Sequence, residues 1–173
     1  FLSIVEASEQ RQTGLIPIFF GSKHQPGLKG FQGSRISLGA MGDSYYEYLI
    51  KQWIQSDKKE DRYKNLWIRS MNEMQQRLVG KTNMGSWFIA EENGMHKLDK
   101  MDHLACFVPG MLMLGMQHLP QSDINPEWRE TASRVTETCY KMYKLAHTGL
   151  APEYVKFDRG GSPDITIYLI NYN

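Results

Sequence analysis

Apolar residues fall into helical rows in four places along the chain. From Asp43 onward, Tyr45, Leu49 and Trp53 make one row and Tyr46, Ile50 and Ile54 a second. Only Glu47, Lys51 and Gln55 form a polar stripe between them, which predicts a helix buried on most of its circumference. Its start carries Asp43 or Ser44 as N-cap, with Glu47 placed as in a capping box. After the solvated connector Ser56-Asp57-Lys58-Lys59, residues Tyr63, Trp67, Ser70, Met71, Met74 and Leu78 recur at the spacing of an amphipathic outer helix, with Gly80 as its stop. Trp87 to Glu91 and His96 to Leu98 read as a β-hairpin on an Asn-Gly turn. Leu104 to Met116 is apolar almost all round, an inner helix that Pro109 either kinks or begins. Asn125-Pro126-Glu127 opens a further outer helix, with Trp128, Ala132, Val135, Cys139 and Met142 on one stripe and an end by Gly149. Before Asp43 the pattern is weak. Leu15 to Phe20 reads as a short strand and Gly27 to Gly33 as loop.

Buried and outer helices alternate, which points to a two-layer α/α barrel or an α-solenoid, and no fixed-period repeat favours the solenoid. With 173 residues the chain can bury a core of its own. The net charge of +1 removes the electrostatic case for a nucleic acid or an acidic membrane surface as partner. No apolar run approaches the ~18 residues a membrane span needs, and Phe1 to Val5 lacks the basic flank of a signal peptide. The chain has no initiator Met and stops just after the apolar run Ile165 to Ile170, so we expect an interior fragment. The cysteines Cys106 and Cys139 read equally as a disulfide or as two buried thiols.

Three stretches place acids or imidazole at helix mouths: Gly39 to Leu49, Lys100 to Gly110, and Thr148 to Glu153. Singly, each has a structural reading. Asp43 serves as an N-cap, Asp102 begins the next helix, His103 is a satisfied core histidine, and Glu153 after Pro152 sits in a helix first turn. The aromatics Tyr45, Tyr46 and Tyr48 read more readily as packing than as a sugar platform. Together, acids at the starts of inner helices converge at one end of a helical barrel. There a glycosidase needs one carboxyl to protonate a leaving oxygen and another to activate water.

Asp43-Ser44-Tyr45-Tyr46-Glu47-Tyr48-Leu49, Lys100-Met101-Asp102-His103-Leu104-Ala105-Cys106-Phe107-Val108-Pro109-Gly110 and Thr148-Gly149-Leu150-Ala151-Pro152-Glu153 resemble, in order and spacing, three segments of glycoside hydrolase family 47, the class I α-mannosidases. The similarity runs from about Gly14 to the end of the chain. It implies an all-α fold, part of an (α/α)7 barrel plugged by a small β-hairpin, with residues 1–173 a partial catalytic domain truncated at both ends. It implies a calcium-dependent hydrolase that removes terminal α-1,2-linked mannose from high-mannose N-glycans with inversion, in the lumen of the endoplasmic reticulum or Golgi. Asp43 and Glu153 match two of the family's three essential acids, either of them a candidate base. His103 matches a histidine lining the sugar site, and Cys106 and Cys139 match the family's disulfide pair.

Met41 stands where the subfamily that removes a single mannose has arginine, and so resembles the subfamily that trims several. The resemblance puts the third acid before Phe1 and the threonine that holds calcium beyond Asn173, so this chain alone is expected to be inactive. A membrane anchor is compatible with the parent but not contained in this chain. Two rivals remain: a mannosidase-like lectin that binds trimmed glycans, and a helical scaffold for protein partners.

Overall fold

A computed structural model describes residues 14–20, 31–161 and 163–167. The expectations placed on Phe1 to Val5, on Gly27 up to Gly30 and on the apolar run beyond Ile167 lie outside the described residues. Among the described residues four α-helices carry the architecture: α1 (Asp43–Gln55), α2 (Asp61–Arg77), α3 (Val108–His118) and α4 (Trp128–Lys144). They pack as two sequential pairs, α1 on α2 and α3 on α4, and α1 also touches α3. The apolar rows explain this. Tyr46, Leu49, Ile50 and Trp53 of α1 are buried, as are Leu66, Trp67, Ser70, Met71 and Met74 of α2. The α4 stripe is buried as its spacing predicts, from Trp128 through Met142.

The outer helices meet through Trp67 and Trp128, edge to face at 5.2 Å. Asn125 Nδ2 donates to Asn72 Oδ1 at 2.9 Å, and Thr131 Oγ1 donates to Gln75 Oε1 at 2.8 Å. Asn125 Oδ1 also accepts the Glu127 N–H at 2.9 Å, ahead of α4. The N-cap position itself is Glu127 rather than the expected Asn125, and no side chain caps the helix. Among the described residues no helix is long and apolar enough to cross a membrane.

The inner segment before α3 is not one helix. A 3-10 turn, His103–Phe107, precedes α3, and Pro109 sits in the first turn of α3, where its missing N–H costs nothing. Of the two roles open for Pro109, starting the helix is the observed one. Gly115, in the third turn of α3, is set by Trp67. A Cβ there would lie 2.1 Å from Trp67 Cη2. Gly115→Ala gains about 1 kcal/mol of helix propensity. Against this, overpacking a closed core costs about 1–3 kcal/mol and sometimes more. Trp67 is fully buried against Trp128 and cannot yield. The expected result is a net loss of stability in chemical denaturation of the full-length protein, and a raised midpoint would overturn that ranking.

The β content exceeds the single hairpin that the pattern suggests. Among the described residues ten short strands form four small antiparallel sheets: β1 (Phe19–Phe20) with β2 (Phe31–Gln32); β3 (Arg35–Ile36), β6 (Glu91–Asn93) and β7 (His96–Leu98); β4 (Val79–Lys81) with β5 (Trp87–Ile89); and β8 (Lys100–Asp102), β9 (Tyr154–Phe157) and β10 (Ile165–Ile167). The strand expected over Leu15 to Phe20 is confined to its last two residues. Trp87 to Ile89 does not pair across the Asn-Gly turn. It pairs with β4, and the turn's hairpin is β6–β7, whose loop is Gly94-Met95.

Gly80 is not a helix stop but the centre of β4, opposite Phe88. A Cβ at Gly80 would fall 2.3 Å from the Phe88 ring, which lies flat on Phe157 with centroids 3.9 Å apart. Glu153 is likewise not in a helix: it precedes β9, which pairs with β8. These small sheets deliver the ends of β3, β8 and β9 to the mouths of α1 and of the 3-10 turn.

Candidate active site

The entry to α1 is a tight turn. The amides of Gly42 and Asp43 both donate to the Gly39 carbonyl, at 3.1 and 3.0 Å, and Ser37 Oγ accepts the Gly39 N–H at 2.9 Å. Gly42 takes the N-cap position, and no side chain caps the helix. This corrects the N-cap and capping-box expectation: Asp43 lies in the first turn, where its Oδ1 accepts the Ser44 N–H at 2.8 Å. Glu47 pairs along the helix with Lys51 at 2.5 Å instead. A Cβ on Gly42 would stand 2.1 Å from the Ser37 carbonyl, so the turn admits no side chain there. Met41, between them, adopts φ +71, a left-handed backbone that non-glycine residues rarely take, and its side chain is 65% exposed. Tyr45 and Tyr46 meet edge to face at 5.0 Å and pack inward, while Tyr48 is exposed. Tyr46 Oη accepts the Ile16 N–H at 3.1 Å, and burial pushes its phenol well above the ordinary range.

The second stretch meets this turn directly. Asp102 Oδ2 accepts the Ala40 N–H at 3.3 Å, with Gly39 packed against the Asp102 side chain. The next residue, His103, donates its backbone N–H to the Glu153 carbonyl at 2.8 Å. His103 is not a buried core histidine. It is half-buried, and its Nε2 lies 2.8 Å from the Tyr143 hydroxyl of α4, the two rings edge to face. The Glu153 side chain is exposed. A chain of contacts therefore links Met41 and Asp43, through the Gly39 turn and Asp102, to His103 and Glu153. All of these lie at the mouths of α1 and of the segment leading into α3.

Two features of this region escape sequence reading. One is Tyr143. The Cys106–Cys139 disulfide joins the 3-10 turn to α4 with Cα atoms 6.0 Å apart. His103 lies three residues before Cys106 and Tyr143 four after Cys139, one turn along each element, so the bridge was the signal that pointed to Tyr143. The other is Glu91, a buried carboxylate of β6. Its Oε2 accepts from Arg35 Nη2 at 2.7 Å and its Oε1 from Lys100 Nζ at 3.2 Å. Arg35 lies two residues before Ser37, and Lys100 two before Asp102. One buried charge thus braces both strands that run into the site. Among the described residues no group of three or more His, Cys, Asp and Glu side chains is arranged to hold a metal ion.

The model of glycosyl hydrolase family 47 matches residues 1–167. This chain belongs to glycosyl hydrolase family 47. Within the family, it is similar to a mannosyl-oligosaccharide 1,2-alpha-mannosidase of Candida albicans, 39% identical over 90% of this chain and 29% of that protein. It is 38% identical to the human endoplasmic reticulum mannosyl-oligosaccharide 1,2-alpha-mannosidase, over 86% of this chain and 20% of that protein. Human mannosyl-oligosaccharide 1,2-alpha-mannosidase IC is 34% identical over 87% of this chain and 23% of its own length. Among solved structures, the alpha-1,2-mannosidase from Trichoderma reesei superposes with a TM-score of 0.70 at 22% identity, covering 87% of this chain and 30% of that one. That likeness speaks for the fold. The family 47 chain thus spans between a fifth and a third of the length of the relatives it matches.

Proposed function

We propose that the protein carrying this chain hydrolyses terminal α-1,2-linked mannose of high-mannose N-glycans with inversion, and that residues 1–173 are part of its (α/α)7 catalytic barrel. The observation that carries the reading is the convergence of the Asp43 turn, Asp102, His103 and Glu153 at one end of α1 and the α3 segment. Family membership and the α-1,2-mannosidase names of the relatives support the bond and sugar. Inversion needs one carboxyl to protonate the departing oxygen and one carboxylate to take a proton from the attacking water, held about 6.5–9.5 Å apart so that the water fits between. We assign the base to Asp43 or Glu153. His103, its ring held by Tyr143, lines the sugar, and Met41 presents an apolar, exposed side chain beside it. The calcium that the resemblance implies finds no cluster of three or more His, Cys, Asp and Glu side chains among the described residues. A Cys106–Cys139 disulfide supports residence in an oxidising lumen, endoplasmic reticulum or Golgi.

The test is the full-length protein incubated with α-1,2-, α-1,3- and α-1,6-linked mannobiose and followed by NMR. Release of β-mannose from the α-1,2 isomer alone is expected. Release of α-mannose would overturn inversion, and glycan binding without turnover would establish the lectin reading instead.

A further inference from the structure

Asp102 stands at the N-cap of the 3-10 turn His103–Phe107, yet its carboxylate caps nothing there. An aspartate in that place ordinarily turns an oxygen onto the free amides of its own helix. Here Oδ2 reaches across 62 positions of sequence to the Ala40 N–H. Gly39 closes the fit: a Cβ on it would stand 2.4 Å from the Asp102 Cβ and 2.8 Å from Oδ2. The turn gripped in this way holds Met41 at φ +71, a conformation that persists only where the surroundings impose it. Its far end is the Asp43 N–H, bonded to the carbonyl of the same Gly39 that abuts Asp102.

We propose that Asp102 is a positioning residue: through the Gly39–Gly42 turn its carboxylate sets where Met41 presents its side chain and where the Asp43 carboxylate stands, and it does not itself exchange a proton with substrate. The inference rests on the reading of Asp43 and Met41 given above and extends it to the residue that aims them. What the turn needs from Asp102 is an acceptor oxygen and a short side chain. Asparagine supplies both and alanine only the second.

The experiment uses the full-length protein with Asp102→Ala, Asp102→Asn, Gly39→Ala and Asp43→Asn. It reads kcat and KM on α-1,2-mannobiose, the thermal midpoint, and amide exchange of the peptide spanning 38–44. Misplacing a reacting group by about 1 Å costs on the order of a hundredfold. Asp102→Ala and Gly39→Ala are therefore expected to lower kcat at least about tenfold and to speed exchange in the turn. Asp102→Asn is expected to restore both towards wild type. An Asn variant as inactive as the Ala variant would overturn the proposal, since charge rather than the acceptor would then matter. Unchanged turn exchange in Asp102→Ala would overturn it as well. The two readings separate cleanly. Wild-type kcat in Asp102→Ala beside an inactive Asp43→Asn sinks only the positioning role. A fully active Asp43→Asn with a loosened turn in Asp102→Ala removes Asp43 from the chemistry and leaves the grip of Asp102 on the turn standing. Should Asp102→Ala fail to fold, Gly39→Ala and Asp102→Asn test the same contact from its other side.

Discussion

Asp43→Asn and Glu153→Gln, each made in the full-length protein, are expected to lower kcat by about two or more orders of magnitude, as the loss of a general acid or base does. The structure supplies the reason why this should read as chemistry rather than unfolding. Asp43 does not cap α1; among the described residues its carboxylate accepts a local bond from the adjacent Ser44 N–H, which an asparagine oxygen also accepts. Its charge near the helix N-terminus contributes about 0.3–1 kcal/mol, the largest stability loss the Asn variant should show. Glu153 serves the fold through its backbone carbonyl, which holds the His103 N–H and is untouched by Gln. A thermal midpoint near wild type together with collapsed turnover is therefore the expected pair of results. Near-wild-type kcat in either variant would remove that residue from the mechanism. A collapsed midpoint would instead mean that its carboxylate supports the fold.

The helices were legible because each buries a continuous stripe, and a stripe at helical spacing survives without knowledge of its neighbours. Trp128 to Met142 is the clearest case, with its start marked by Asn125. The strands were not. At two to four residues they show no period, and Gly80 carries two meanings that only Phe88 resolves. The candidate site divides in the same way. Asp43, His103 and Glu153 stand out as chemistry-bearing side chains near element ends, and family resemblance singles them out. What organises them is non-local and therefore silent in sequence. Asp102 looks like a helix cap and serves a turn 62 residues away. Glu91 reads only as the last residue of a hairpin strand and is buried between two cations from different sheets. Periodicity reports what faces a core; it does not report which partner crosses it.

Removing the Cys106–Cys139 bridge should be the costliest single change to stability short of a core truncation. Its 33-residue separation encloses α3 and most of α4, so the bridge restricts the unfolded chain across an entire helical pair. Loop-closure entropy puts the stabilisation at roughly 3–4 kcal/mol. That is roughly a fifth or more of the about 5–15 kcal/mol that holds a typical domain together. The double variant Cys106→Ala/Cys139→Ala is expected to lower the denaturant midpoint of the full-length protein accordingly, and a non-reduced digest of the wild type should yield the linked peptides.

The bridge also lies one turn from the His103–Tyr143 contact, on the same two elements. If it holds those rings in register, the two changes must couple rather than add. Tyr143→Phe, which removes the hydroxyl and keeps the ring, should then lower kcat/KM by a smaller factor in the bridge-less protein than in the wild type. Identical factors in both backgrounds would show that the disulfide stabilises α4 without aiming Tyr143 at His103. Equal midpoints with and without the bridge would remove its stabilising role altogether.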